Sequence, residues 1–461
     1  MKRLLAVLLV TTLVLSACAM GSAPPAPAAS GGAAAPSPAA SAAPAAPSTP
    51  AAPVTIRHAN VNTPGSPLHD IYMEMVEQFM KDNPDIIVEP DIQPSADHRT
   101  KLMVEFTAGN PPDVSQAPIN YLHEFSRSGL IYFWEPILDA HPQFRERYRP
   151  NILENMAIDG KISSLPIEAS IDGLIINKAM FDEFGWTPPV TFDDMIDLAG
   201  KARQQGKYLL VTGGKDIRFA WLASAFMART AGFEKSMELG MGDAIDQWNN
   251  PDYGFISAME HFARLVAAEA FPPDVLAFAT LDADQYFARG EAAMYYEGAW
   301  KVANFATSGG DDFVNGLARI EFPALPGAVP GGDPTVRVGG NVWGLTIPTG
   351  LNDAQMDAVI RFADSYTHPA YNAKYLESGA RVAAGIVEYD RSKTIPLFND
   401  FVDAYQTADK LLLSMDALTV PAIDLAIKQT AMPGIISGTM TVEEAVAFVQ
   451  MTAEEHLRAI G

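Results

Sequence analysis

Apolar positions follow two periods along this chain. Val54-Thr55-Ile56 reads as a short first strand. Ile71, Tyr72, Met75, Val76, Phe79 and Met80 then recur at helical spacing until Asn83-Pro84 stops the run. Ile86 to Val88 returns as a strand. Strand, helix, strand in that order recurs downstream and predicts an α/β sheet with crossover helices. Thr191 with Asp194, and Thr441 with Glu444, have the spacing of helix N-caps with an acidic residue in the first turn. Gly213-Gly214, Gly309-Gly310 and the segment Pro323 to Pro334 interrupt the periodic stretches. The last has the composition of a crossing between lobes or of a surface loop. No internal repeat of fixed period is present.

The N-terminal pattern is of another kind. Lys2 and Arg3 precede an almost unbroken apolar run from Leu4 to Leu15, which has the length of a signal-peptide core and is short for a membrane span. Leu15-Ser16-Ala17-Cys18 follows. It resembles the bacterial lipobox, in which the cysteine is lipidated and becomes the new N-terminus. The alternative is a plain secretory signal with an incidental cysteine. Ala19 to Pro53 is almost wholly Ala, Pro, Ser and Gly. Such a stretch cannot offset the ordering entropy of a core and favours extended conformers reaching on the order of 100 Å. The expectation is residues 1–17 as signal, and 18–53 as lipidated cysteine and tether. No later segment is apolar enough to suggest a transmembrane helix.

Composition narrows the function. The chain has 461 residues, 48% of them hydrophobic, which is long enough for two lobes. The formal net charge of −23 argues against nucleic acid and against a basic patch for anionic lipids. Cys18 is the one cysteine, so an intramolecular disulfide and a cysteine metal site are both excluded. The eight histidines are dispersed, with no short-spaced pair for zinc, and His69 and His98 read as surface residues. There is no phosphate-binding Gly-x-x-x-x-Gly-Lys loop and no Gly-x-Ser-x-Gly nucleophile elbow. No cofactor and no metal are expected.

Six segments in order carry a family resemblance. They are Ala108-Gly109-Asn110-Pro111-Pro112-Asp113-Val114; Leu165-Pro166 through Gly173-Leu174-Ile175-Ile176-Asn177-Lys178; Thr191-Phe192-Asp193-Asp194-Met195; Phe287-Ala288-Arg289-Gly290-Glu291-Ala292-Ala293-Met294 with Gly298-Ala299-Trp300; Gly339-Gly340-Asn341; and Gly438-Thr439-Met440-Thr441-Val442-Glu443-Glu444-Ala445. Together they resemble the family 1 extracellular solute-binding proteins of ABC importers. The resemblance covers nearly all of Val54 to Gly461. It implies a periplasmic-binding-protein-like type II fold, with two α/β lobes joined by a multi-strand hinge and a ligand cleft between them. Lobe 1 is expected at 54–167 plus 325–379, and lobe 2 at 168–324 plus 380–461. It also implies a monomeric, non-enzymatic lipoprotein outside the cytoplasm that delivers a mono- or oligosaccharide to ABC permease transmembrane subunits.

Sugars present apolar C–H faces and hydroxyl edges, so their sites need flat aromatic faces and planar polar groups. By the resemblance, Trp300 lines the cleft after its strand, and Trp221 stands where a cleft aromatic is common. Trp343 follows Gly339-Gly340, where backbone approaches a ligand closely; Gly340 and Asn341 are candidates with it. Asn62 and Thr63 lie in a polar loop after the first strand, the usual ligand edge of an α/β sheet, although Thr63 or Ser66 suits helix capping equally. Gln116, Asn120 and the hinge residue Glu168 complete the set. Ala117 and Asn120 replace an aromatic and an acidic contact found in maltodextrin binders, which argues against that ligand. Trp134, Trp186 and Trp248 read as core or surface. Two other functions remain open at this point: an extracellular glycoside hydrolase and a non-transport surface lipoprotein.

Overall fold

The computed structural model describes residues 52–460 except 216–217, 242–243 and 326–335. Cys18, the signal and tether through residue 51, and most of the Pro323–Pro334 segment therefore lie outside the described residues. All that follows concerns the unit Ala51–Gly461.

Strand β1 (Val54–Asn60), helix α1 (Pro67–Asp82) and strand β2 (Ile86–Ile92) form the predicted crossover, with β1 and β2 parallel from Val54↔Ile86 to Asn60↔Ile92. Helix α1 starts where Ser66 accepts the Leu68 N–H and Pro67 supplies a preset φ. It ends at Asn83, whose N–H returns to the Phe79 carbonyl. Tyr72, Met75, Val76 and Phe79 are its buried face. Each contributes about 1.5–3 kcal/mol of hydrophobic stabilisation.

Helix α2 (Ser95–Thr107) leads to β3 (Val114–Pro118), parallel to β1, and then to helix α3 (Ile119–Arg127). After a run of short elements comes β4 (Leu165–Asn177). Helix α4 (Phe192–Gln204) carries the expected capping box, with Thr191 and Asp194 bonding reciprocally. It is followed by β5 (Tyr208–Val211), helix α5 (Arg218–Thr230), β6 (Ala292–Gly298), β7 (Leu317–Ile320) and β8 (Arg337–Pro348). Helix α6 (Asp353–Tyr366), β9 (Val382–Ala383) and β10 (Leu411–Leu412) complete the elements needed here.

The strand order is β2-β1-β3-β8-β4-β6-β5, with β7 and β9 on β4 and β10 on β8. Strand β4 changes partners midway. Residues from Leu165 to Ile171 pair with β8, and Asp172 to Ile176 pair with β6. Strand β8 likewise runs from β10 at Arg337 to β3 at Trp343. Two long strands thus cross from one group of strands to the other, giving two α/β lobes with a multi-strand hinge. Gly339 is required there: a Cβ would stand 2.4 Å from the Ser170 carbonyl oxygen.

Trp134 and Trp248 are core, at 0% and 1% exposure, and the Trp134 indole N–H donates to the Leu345 carbonyl at 3.1 Å. Trp186 is partly buried against Phe184. The surface expectation for His98 is corrected. The residue is buried, because its Nε2 bonds the Gln116 carbonyl at 2.6 Å beneath α2. His69 is partly buried, with Nδ1 on the Asn62 carbonyl. Among the described residues no helix is long and apolar enough to cross a membrane.

Candidate functional site

A cavity of about 780 Å³ opens where the crossing strands meet the ends of α2, α3 and α5. Such volumes suit small organic ligands. Local sequence explains how its walls are set. Pro118 closes β3, and α3 begins at the next residue, so Asn120 and Tyr121 stand at the C-terminal edge of a parallel strand. Ser95 and Arg99 are four apart on α2 and share one face; Arg218 and Trp221 are three apart on α5 and do the same. Trp300 folds back over Gly298, where a Cβ would lie 2.1 Å from its ring.

The aromatic groups form two sets. The Trp221 and Trp300 rings meet edge to face, 4.9 Å between centroids and 73° apart. The Arg218 guanidinium lies 3.8 Å from the Trp221 ring centre, and the Trp221 N–H donates to Asp416 at 2.8 Å. Trp343 forms the second set, with the Arg99 guanidinium 4.7 Å from its ring centre and 6.0 Å from that of Tyr121. Flat apolar faces thus alternate with planar hydrogen-bonding groups.

Charges are dense between them. Arg218 pairs with the buried Glu297 at 2.6 Å, and Lys428 with Asp424 at 2.5 Å. Asp416 also accepts the Ser414 hydroxyl at 2.6 Å. Burial raises the Glu168 carboxyl above its usual range, against the opposing pull of Arg381 and Arg99. Burial raises Asp424 likewise, with Lys428 opposing. Burial lowers Arg99. Burial also works against the charge on Arg381, yet Tyr366, Tyr375 and Glu168 hold it above the usual arginine range. Among the described residues no group of His, Cys, Asp and Glu is arranged to hold a metal ion.

Of the residues expected from the sequence, Asn120, Glu168, Trp221, Trp300 and Trp343 line this cavity together. Asn62, Thr63, Gln116 and Gly340 are not among its walls. Asn62 and Gln116 are each 1% exposed and point inward, where both amides donate to the Tyr366 hydroxyl. Gln116 also accepts the Val61 N–H at 3.0 Å, tying β3 to β1. Thr63 lies beside Asn62, and Ser66, not Thr63, caps α1. At Gly340 the backbone has φ +132°, and Leu413 fills the space a Cβ would take. The Asn341 side chain lies outside the described residues. Sequence reasoning missed Arg99, Tyr121, Arg218, Arg381, Asp416, Asp424 and Lys428. The three-residue spacing of Arg218 to Trp221 and the four-residue spacing of Asp424 to Lys428 were available signals; Arg381 carried none.

A family model for bacterial extracellular solute-binding proteins matches residues 74–386, more than half of the chain. The chain belongs to that family. Among its relatives, the diacetylchitobiose binding protein NgcE of Streptomyces coelicolor is 24% identical over 255 residues, covering 51% of this chain and 52% of that one. An ABC transporter extracellular-binding protein of Pyrococcus horikoshii, PH1039, is 24% identical over 265 residues, covering 56% and 59%. The chain spans about half the length of the curated relatives it matches. A solved chitin oligosaccharide binding protein matches in structure with a TM-score of 0.76 at 21% identity, covering 87% of this chain and 98% of that one. At that identity the likeness establishes the fold: this solute-binding protein has the two-lobe type II architecture, and its cavity lies at the hinge strands.

Proposed function

We propose that this chain captures a mono- or oligosaccharide in the hinge cleft and delivers it to the transmembrane subunits of an ABC importer. The observation that carries the reading is the pairing of aromatic faces with planar polar edges: Trp221 and Trp300 edge to face, with Trp343, Asn120, Asp416 and the arginines on the walls of the same cavity. Indole faces match the C–H faces of pyranose rings, and carboxylates, amides and guanidinium groups match hydroxyl edges. The diacetylchitobiose and chitin oligosaccharide specificities in the names of two relatives support the class of ligand.

The mature protein, in this reading, is a monomer outside the cytoplasm, tethered to the membrane through lipid on Cys18. Its lobes are 54–167 plus 325–379 and 168–324 plus 380–461, closing on ligand by hinge motion. It binds without turnover. Asp416 is committed to the Trp221 N–H and the Ser414 hydroxyl, a holding role more than an acid–base one. Calorimetric titration with a panel of mono- and oligosaccharides tests this. One-site saturable binding with a change in indole fluorescence is expected. No saturable sugar binding, or release of a shortened product, would refute it.

A further inference from the structure

Helix α5 is buried along its length except at Arg218 and Trp221, the two residues through which it meets the cleft. Strand β6 packs against it and is buried at every position, yet it carries a carboxylate. Glu297 is 0% exposed and is not among the walls of the cavity. Burying a carboxylate is costly unless a charge meets it, and a buried ion pair adds little to folding beyond what well-packed apolar side chains would give. Stability alone therefore does not account for a glutamate here.

The partner is Arg218, whose Nε lies 2.6 Å from a Glu297 carboxylate oxygen, an ion pair and not an aligned hydrogen bond. The other Glu297 oxygen accepts the Gly298 N–H at 3.2 Å. Lys301, the cation nearest to Glu297 along the chain, is held instead by Asp284 at 2.5 Å, and Asp284 also accepts the Tyr295 hydroxyl at 3.2 Å. From Arg218 the contacts run on into the cleft. Its guanidinium lies 3.8 Å from the Trp221 ring centre, and the Trp221 ring meets that of Trp300 at 4.9 Å. Arginine has a long, flexible stem. Without an anion fixed at Nε, its head group is free to leave the ring for the water of the cleft. Anchored, it keeps a planar cation on one indole face and holds that ring in one orientation.

We propose that Glu297 is a positioning residue of the binding site: it anchors Arg218 against Trp221 and so fixes the Trp221–Trp300 pair in the geometry that receives the ligand. The proposal rests on the carbohydrate reading above for the identity of that ligand alone.

Glu297→Gln in the full chain keeps the side-chain shape and an acceptor for the Gly298 N–H while removing the charge. Without ligand, its near-ultraviolet circular dichroism should lose part of the indole-pair signal. Glucose, maltose, cellobiose and N,N′-diacetylchitobiose serve as probes. The one that the unmodified chain binds most tightly should bind the variant about tenfold more weakly. Arg218→Lys leaves a cation beside Glu297 but no flat guanidinium, and should give the same spectral change. In that background Glu297→Gln should cost less than about twofold in affinity. The proposal is overturned if Glu297→Gln lowers the urea midpoint but leaves the ligand-free spectrum and Kd unchanged, as a stability role alone would. It is also overturned if the loss of affinity is undiminished in the Arg218→Lys background. Should Glu297→Gln fail to fold, Arg218→Lys decides: loss of the indole-pair signal supports the proposal, and an unchanged spectrum overturns it. If the unmodified chain binds none of these sugars, the carbohydrate reading fails for them, and the ligand-free spectra still decide the role of Glu297.

Discussion

Gly298→Ala isolates the contribution of one ring to the cleft. Gly298 has φ −109° and ψ 176°, an extended backbone that alanine adopts without strain. Its effect must therefore come through what the new methyl meets. The Cβ position is 2.1, 2.2 and 2.6 Å from three carbons of the Trp300 ring. A carbon–carbon contact settles near 3.5 Å, so the ring has to retreat by roughly 1.4 Å. Trp221 closes one direction, with its centroid 4.9 Å away. The indole pair should come apart. Overpacking of this kind costs about 1–3 kcal/mol of folding stability. Loss of the platform should cost about 2–4 kcal/mol of ligand binding, or roughly thirty- to several-hundred-fold in Kd. Near-ultraviolet circular dichroism reports the indole pair without ligand, and titration with the tightest sugar of the panel reports the site. A double-mutant cycle decides the cause. In a Trp300→Ala background, Gly298→Ala should cost less than about 0.5 kcal/mol in affinity. An undiminished loss in that background would show that the glycine acts through backbone, and the account of Trp300 would fail.

Three other outcomes are expected. Burial, helped by His98, holds His58 down to about 3, so the folded protein keeps this imidazole neutral while the unfolded chain protonates it from about pH 6.5 downward. The resulting stability is complete above about pH 6.5 and is lost as pH falls toward 3; His58→Gln should flatten this decline in urea midpoints, and identical pH profiles would exclude the role. Tyr366→Phe removes the shared acceptor of Asn62 and Gln116 and should cost about 1–3 kcal/mol in urea denaturation, whereas a change under about 0.5 kcal/mol would show that water replaces the hydroxyl. Cys18→Ser should release the protein from the membrane fraction, and a variant that stays with the membrane would refute lipidation at that residue.

The fold was legible because its signals are local. Period, caps and turn residues place α1 and α4 within a few residues, since a helix records its buried face every turn. Trp300 was legible through the resemblance carried by its motif, and the structure adds that Gly298, two residues earlier, leaves room for the ring to fold back. Trp134 and Trp248 read as core or surface from their flanks and are core.

The polar half of the site is another matter. Asn62, just after one parallel strand, and Gln116, near the end of another, look like ligand contacts from their places in the chain. Which way such an amide turns depends on whether an acceptor exists inside. Here the acceptor is Tyr366, 304 and 250 positions away along the chain, and nothing local announces it. Arg381 is the converse case. It stands in an unremarkable stretch, and only the register that brings Ala383 beside Glu168 gives it a place in the cleft. A buried polar group is therefore assigned by its partner, and partners in this architecture are set by the hinge register. The same reasoning explains why charge composition misleads here. A chain with net charge −23 still brings Arg99, Arg218, Arg381 and Lys428 to one cavity, beside Glu168, Asp416 and Asp424. The ligand meets the local balance first, and at physiological ionic strength the surface excess is screened within about 8 Å.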